Sequence, residues 1–264
     1  EALFPSVVVA PHLRMVPPSA ELELLGLDRG RVVFRGHDIR DFESSVARTM
    51  AFLLAEHPNG LHKERIADLL WRDTTQARAE SLFHSTVYRL RKALDKKVIV
   101  LEGGLYRLNP RLSYRYDVAD FQRLARLAQG DDHPAQLARM NAIDLYRSDY
   151  LESCDSPWCF DVRLALQHTM IQLLTREAEH LCSQGQIAQG ETLYLRVLAL
   201  DEFDERAHRG VMWCRARLGD ASGATRQYRE CTRIMASEMG LSPHPDTVHL
   251  YTLIHSGSLP VSPS

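Results

Sequence analysis

No apolar stretch in this chain approaches the roughly 20 residues a membrane helix needs. The aliphatic run Val7-Val8-Val9-Ala10 is too short for a signal-peptide core and has no basic leader. No membrane partner and a cytoplasmic location are expected. Cysteine is scarce and absent before Cys154: five residues, Cys154, Cys159, Cys182, Cys214 and Cys231, an odd number set among helical, apolar-rich surroundings. They read as reduced thiols, not a disulfide framework. Cys154 and Cys159 have no second pair at ligand spacing, which argues against zinc. None of the 12 histidines forms H-E-x-x-H or joins a cysteine at ligand spacing, and G-x-S-x-G is missing. The segment Gly185-Gln186-Ile187-Ala188-Gln189-Gly190-Glu191-Thr192 imitates a phosphate loop, but Glu191 stands where the lysine belongs and would repel the phosphates. The expectation is a non-enzyme with no cofactor, metal or catalytic residue.

The charge that is present is unevenly placed. The net value of −2 hides residues 21–116 with 17 Lys+Arg against 13 Asp+Glu, and residues 117–264 with 14 against 20. A mildly basic front on an acidic back suits a DNA reader joined to a protein-facing module. A length of 264 residues suggests about two domains. Residues 1–20, with Pro5, Pro11, Pro17 and Pro18, read as a loose lead-in, and a first residue of Glu suggests a piece of a larger polypeptide.

From Glu21 the pattern tightens. Leu22, Leu24, Leu25 and Leu27, a turn at Asp28–Gly30, and Val32-Val33-Phe34 predict a β-hairpin. Helices are expected over Phe42–Glu56, stopped by His57-Pro58-Asn59-Gly60, over Leu61–Trp71, and from about Thr75 to Asp95. Val98-Ile99-Val100-Leu101 and Leu105-Tyr106-Arg107-Leu108 flank Glu102-Gly103-Gly104 as a second hairpin, bounded by Asn109-Pro110. Hairpin, three helices, hairpin is the order of a winged helix-turn-helix. Beyond it Asp117 reads as the N-cap of a helix through Gln129, and further helices are expected over 134–149, 159–184, 187–200, 204–218, 221–239 and 245–255. Gly185 and Gly219 are 34 residues apart, as are Tyr194 and Tyr228, Val197 and Cys231, and Leu200 and Ile234. That is the tetratricopeptide period. The fold class is therefore mainly α with a small β component, divided as a lead-in (1–20), a winged helix DNA-binding domain (21–116), a tetratricopeptide-like domain (117–256) and a tail (257–264).

Residues 75–95 carry the functional signal. At 100° per residue Phe83, Val87, Leu90 and Leu94 share a narrow arc, flanked by Ala79 and Thr86, that must face the core. The opposite arc holds Arg78, Ser81, Ser85, Tyr88, Arg89 and Lys92, with His84 and Arg91 at its margins, and reads as free of aliphatic side chains. Hydroxyls, an imidazole, a phenol and cations are donors suited to base edges and phosphates in a major groove. As the third of three helices followed by a β-wing, this is the element expected to enter the groove. Arg78, Arg89 and Lys92 are expected on phosphates, and Ser81, His84, Ser85 and Tyr88 on bases. Arg107, on the returning wing strand, is expected on a phosphate, and Arg91, at the margin of the arc, is also expected to contact DNA.

The residues from LHKERIADLLW through FHSTVYRLRKAL to EGGLYRLNP resemble the OmpR/PhoB-type winged helix of the Streptomyces antibiotic regulatory protein family. DVADFQRLARLA, DSPWCFDVRLAL and RECTRIMASEMGLSPHPDTVHLYTLI resemble the bacterial transcriptional activator domain that accompanies it. The resemblance spans residues 21–256. It implies an activator that binds repeated elements in double-stranded promoter DNA, commonly as a homodimer, and contacts RNA polymerase. Two departures bear on affinity. Leu101 and Glu102 occupy the wing where the family often has a minor-groove arginine, and Ser81 and Tyr88 stand where arginine is common on the helix. Binding is thus expected to be modest per protomer and to lean on dimerisation. Two other readings remain: a protein-interaction scaffold with a non-DNA-binding winged helix, and the DNA-binding output module of a larger signal-transduction ATPase.

Overall fold

A computed structural model describes residues 20–261, so the lead-in expected over 1–20 lies almost wholly outside the described residues. The chain divides into two compact units. One holds Gly30–Tyr116 and the residues up to Gly26, and the other holds Leu27–Arg29 and the residues from Asp117 onward.

The first unit opens with β1 (Leu22–Leu25) and β2 (Arg31–Phe34), antiparallel in the register Leu22↔Phe34 to Leu25↔Arg31. Leu22, Leu24 and Val32 are fully buried, as strand alternation demands. The sheet is larger than a hairpin. A positive-φ pair, Arg35 (50°) and Gly36 (81°), turns the chain into β3 (His37–Asp38) beside β2. On the other edge β7 (Tyr114–Tyr116) runs parallel to β1, giving the order β3-β2-β1-β7. Helix α1 (Ser45–Glu56) buries Ala47, Met50, Ala51, Phe52, Leu53 and Leu54 completely, so it forms the middle of the core. The helix expected from Leu61 starts two residues later, because Leu61–His62 form β4 against the wing. Then come α2 (Lys63–Leu70), α3 (Gln76–Ala93), β5 (Ile99–Glu102) and β6 (Leu105–Leu108), with sheet order β4-β6-β5.

The second unit is helical: α4 (Asp117–Leu127), α5 (His133–Leu145), α6 (Pro157–Ser183), α7 (Ile187–Leu200), α8 (Glu205–Arg217), α9 (Ala221–Ile234) and α10 (Pro245–Ser256). Asp117 is the first residue of α4, and its Oδ2 accepts the Leu27 N–H at 3.0 Å. Asp132, Asp204 and Asp220 cap α5, α8 and α9 through the N–H groups of Ala135, Ala207 and Gly223. The helix expected over 221–239 keeps α-geometry only through Ile234, and Met235–Met239 widen into a π-turn that ends at Gly240.

The repeat is real in three dimensions. Gly185 (φ 77°) and Gly219 (φ 85°) end α6 and α8 in the left-handed conformation that glycine adopts without strain. The phosphate-loop lookalike is one of these turns, with Glu191 Oε1 accepting from Arg215 Nε at 2.8 Å. Val197 and Cys231, one period apart, are both fully buried. Several polar groups are buried in this unit, two of them of opposite charge. Arg139 and Glu177, 2% and 5% exposed, form an ion pair at 2.7 Å. Beyond α10, Pro260 O accepts the Trp213 Nε1–H at 2.9 Å, so the segment expected to be a tail is fastened as far as that residue.

Candidate nucleic-acid interface

Helix α3 is fixed from below by its apolar stripe. Phe83 and Leu90 are 1% and 0% exposed, and the Phe83 ring meets Tyr106 of β6 edge-on at 4.8 Å. Helix and wing are thereby packed together. Thr86, expected at the flank of the stripe, is itself buried. The turn into α3 is made by Thr74 N–H to Trp71 O at 3.1 Å and Ala79 N–H to Thr75 O at 2.9 Å. The wing turns on Gly103 (φ 58°) and Gly104 (φ 83°), between the paired residues Glu102 and Leu105. Two successive positive φ angles are what a type I′ two-residue hairpin loop requires. His62 Nδ1 lies 3.2 Å from Gly104 O, which ties the wing tip to β4.

With the stripe inward, the opposite face points out. Arg78, Ser81, His84, Tyr88 and Lys92 are exposed, Tyr88 to 65%, while Ser85 and Arg89 are half-buried. Ser85 donates its hydroxyl to Leu82 O at 2.9 Å, leaving its oxygen lone pairs to accept. Lys92 Nζ sits 2.6 Å from Glu43 Oε1, and that bond holds the ammonium above the ordinary lysine range. Lys92 and Arg89 border a shallow hollow whose remaining lining includes Asp38, Asp41 and Glu43. Arg91 turns away from the face: its Nη2 donates to Ile99 O at 3.1 Å, and its Nε is buried without a partner. Arg107 pairs with Glu102 across the wing.

Two residues on α3 escaped the sequence reading. Ala77 is exposed in the first turn and falls on the polar arc, so the face does carry one methyl group. Glu80, also exposed, forms an ion pair with Lys63 of α2, which pulls the carboxyl below its usual range and removes that lysine's charge from the surface balance. Ala77 was within reach of the helical-wheel argument. The Glu80–Lys63 pair joins two helices and has no local signature.

Residues 116–255 match the bacterial transcriptional activator domain family. The chain belongs to that family. The two AfsR regulatory proteins it resembles are from Streptomyces. It is 28% identical to that of Streptomyces coelicolor over 200 residues, covering 74% of this chain and 20% of the relative. It is 25% identical to that of Streptomyces griseus over 224 residues, covering 82% and 23%. The chain thus spans about a fifth of the length of these curated relatives. In fold it is similar to EmbR of Mycobacterium tuberculosis, solved in complex with a low affinity phosphopeptide. The TM-score is 0.69 at 19% identity, over 90% of this chain and 65% of that one. The winged helix followed by a helical bacterial transcriptional activator domain is the architecture expected from sequence. Among the described residues no helix is long and apolar enough to cross a membrane.

Proposed function

We propose that this member of the bacterial transcriptional activator domain family is a sequence-specific DNA-binding regulator, working in the cytoplasm without catalysis of its own. As an activator it binds repeated promoter elements as a homodimer and contacts RNA polymerase. One observation carries the reading: a single face of α3 exposes Arg78, Ser81, His84, Tyr88 and Lys92, with Ser85 and Arg89 beside them, over a stripe that locks the helix to the core and wing. Arg78, Arg89 and Lys92 hold phosphates. Ser81, His84, Ser85 and Tyr88 meet base edges, and the Ala77 methyl suits a thymine methyl. Arg91 fastens the wing strand to the helix, and Arg107 reaches a phosphate when it leaves Glu102. Residues 21–116 act as the DNA reader and 117–256 as the protein-facing domain.

The test is an electrophoretic mobility shift with the full chain on promoter fragments across graded salt. Specific binding that weakens steeply with salt supports the proposal, because displaced counterions set the slope. Absence of any DNA complex at low salt overturns it in favour of a protein-interaction scaffold. The greater length of the AfsR relatives favours a second reading with the same chemistry, in which this chain is the DNA-binding module of a longer regulator.

A further inference from the structure

Cys154 lies in the turn that precedes α6, and Cys159 is the third residue of that helix, counted from Pro157. Their sulfurs are 2.8 Å apart, with the Cys159 thiol donating to the sulfur of Cys154. A disulfide needs about 2.05 Å, so the pair has less than about 1 Å to close. The turn is held in this position by Arg163, one turn further along α6. Its guanidinium donates to Tyr150 O at 2.9 Å, to Leu151 O at 2.8 Å and to Cys154 O at 3.1 Å. Those bonds involve backbone oxygens alone and remain possible whether the sulfurs are reduced or joined. The two thiols also differ in access: Cys154 is half-buried and Cys159 is fully buried.

We propose that Cys154 and Cys159 form a peroxide-oxidisable dithiol that closes to an intramolecular disulfide. Cys154 is the attacking residue, because solvent reaches its sulfur whereas Cys159 is fully buried. Its sulfur attacks one oxygen of hydrogen peroxide and breaks the O–O bond. Cys154 becomes a sulfenic acid, and the departing hydroxide takes the proton lost by the thiol and leaves as water. The Cys159 sulfur then attacks the sulfenic sulfur. The S–O bond breaks, and the hydroxyl leaves with the Cys159 proton as a second water. Two thiols are oxidised and one peroxide is reduced. The molecule carries its own comparison: Cys182 and Cys214 also approach, at the longer distance of 3.6 Å, and both are buried, whereas the first pair includes the half-buried Cys154.

The experiment uses the reduced, folded full chain, treated with graded hydrogen peroxide, then unfolded, alkylated and digested with trypsin. Cleavage at Arg147 and Arg163 leaves both cysteines in one peptide, residues 148–163. The expected result is that this peptide loses two hydrogens in mass and resists alkylation, while Cys182, Cys214 and Cys231 alkylate fully. A dithiol reductant should restore it. Cys159→Ser should leave Cys154 as a sulfenic acid trapped by a carbon-acid probe, and Cys154→Ser should leave Cys159 unmodified. The proposal is overturned by a Cys182–Cys214 link forming first, by loss of all five thiols at one rate, or by direct passage of Cys154 to sulfinic acid with Cys159 free. The wild-type arm decides the matter even if a variant fails to fold.

Discussion

The ring of Tyr194 lies flat over Gly210. A Cβ built on that glycine would meet Cδ1, Cδ2 and Cε1 of the ring all at 2.6 Å, and the tyrosine is 1% exposed. Helices α7 and α8 approach this closely because residue 210 has no side chain. Gly210→Ala should therefore lower the melting temperature. Overpacking costs about 1–3 kcal/mol, which more than offsets the ~1 kcal/mol an alanine gains in helix propensity. Thermal unfolding followed by circular dichroism checks this; an unchanged or raised midpoint would show that the ring yields freely.

The Lys92–Glu43 pair sets up a test in which two substitutions act in opposite directions. Lys92→Ala should weaken binding to all DNA sequences alike and flatten the salt slope by about 0.9, the contribution of one phosphate contact. Glu43→Gln, which frees the ammonium, should tighten non-specific binding. Mobility shifts over a salt series read both. Identical behaviour of the two variants would remove Lys92 from the interface.

A base-reading residue should behave differently. Ser81→Ala or Tyr88→Phe should cost about 1–3 kcal/mol at one position of the operator and little on unrelated DNA. Competition binding against a set of single-base operator variants separates this from a uniform loss.

The buried ion pair gives a stability prediction. Glu177→Gln leaves the Arg139 guanidinium 2% exposed with only neutral hydrogen-bond partners, among them Ala128 O at 3.3 Å. Breaking a buried pair from one side costs about 3–5 kcal/mol. The midpoint of urea unfolding should fall accordingly, and replacing both residues with methionine should recover much of the loss. Equal midpoints for wild type and the single variant would contradict the assignment.

His208 makes stability depend on pH. Burial holds its pKa below the ordinary value. Gln227 Nε2 donates to Nδ1 at 2.7 Å, so the ring proton resides on Nε2 and is donated to Glu202 O at 3.0 Å. As pH falls below about 6.5 the unfolded chain takes up a proton that the folded unit resists. Stability contributed by the neutral ring is thus full above about pH 6.5 and is lost as pH drops towards the lowered folded value. Melting temperatures between pH 8 and pH 5 should show that decline, and His208→Asn should lose stability at neutral pH while flattening it. A wild-type profile that stays level down to pH 5 would rule the mechanism out.

Elements with an internal period were legible in the sequence. Phe83, Val87 and Leu90 announced α3 and its buried side, and the spacing of Gly185 and Gly219 announced the repeat turns that the structure builds at positive φ. Pairings between distant segments were not. Leu61–His62 looks like the start of a helix until Leu105 and Tyr106 are seen across from it. Tyr114–Tyr116 is too short to declare itself a strand without β1. The same limit hid part of the interface chemistry. Arg91 sits on the margin of the polar arc, and only the position of Ile99 O shows its guanidinium turned to the wing. The expected assignment of Arg91 as a DNA contact becomes a proposal about how the wing is held.

The parallel pairing of β1 with β7 also bears on the order of assembly. Leu22 and Tyr114 are 92 residues apart in sequence, so β1 has no edge neighbour on that side until the wing has been synthesised. Joining ends that far apart carries a loop-closure entropy that must be met before the contact stabilises anything, and folds rich in such contacts form slowly. The helical repeats require no such wait, since each packs on the one before it. On the ribosome, the first unit should thus become protease-resistant in a single late step once residue 116 has emerged, whereas protection of the solenoid should spread helix by helix.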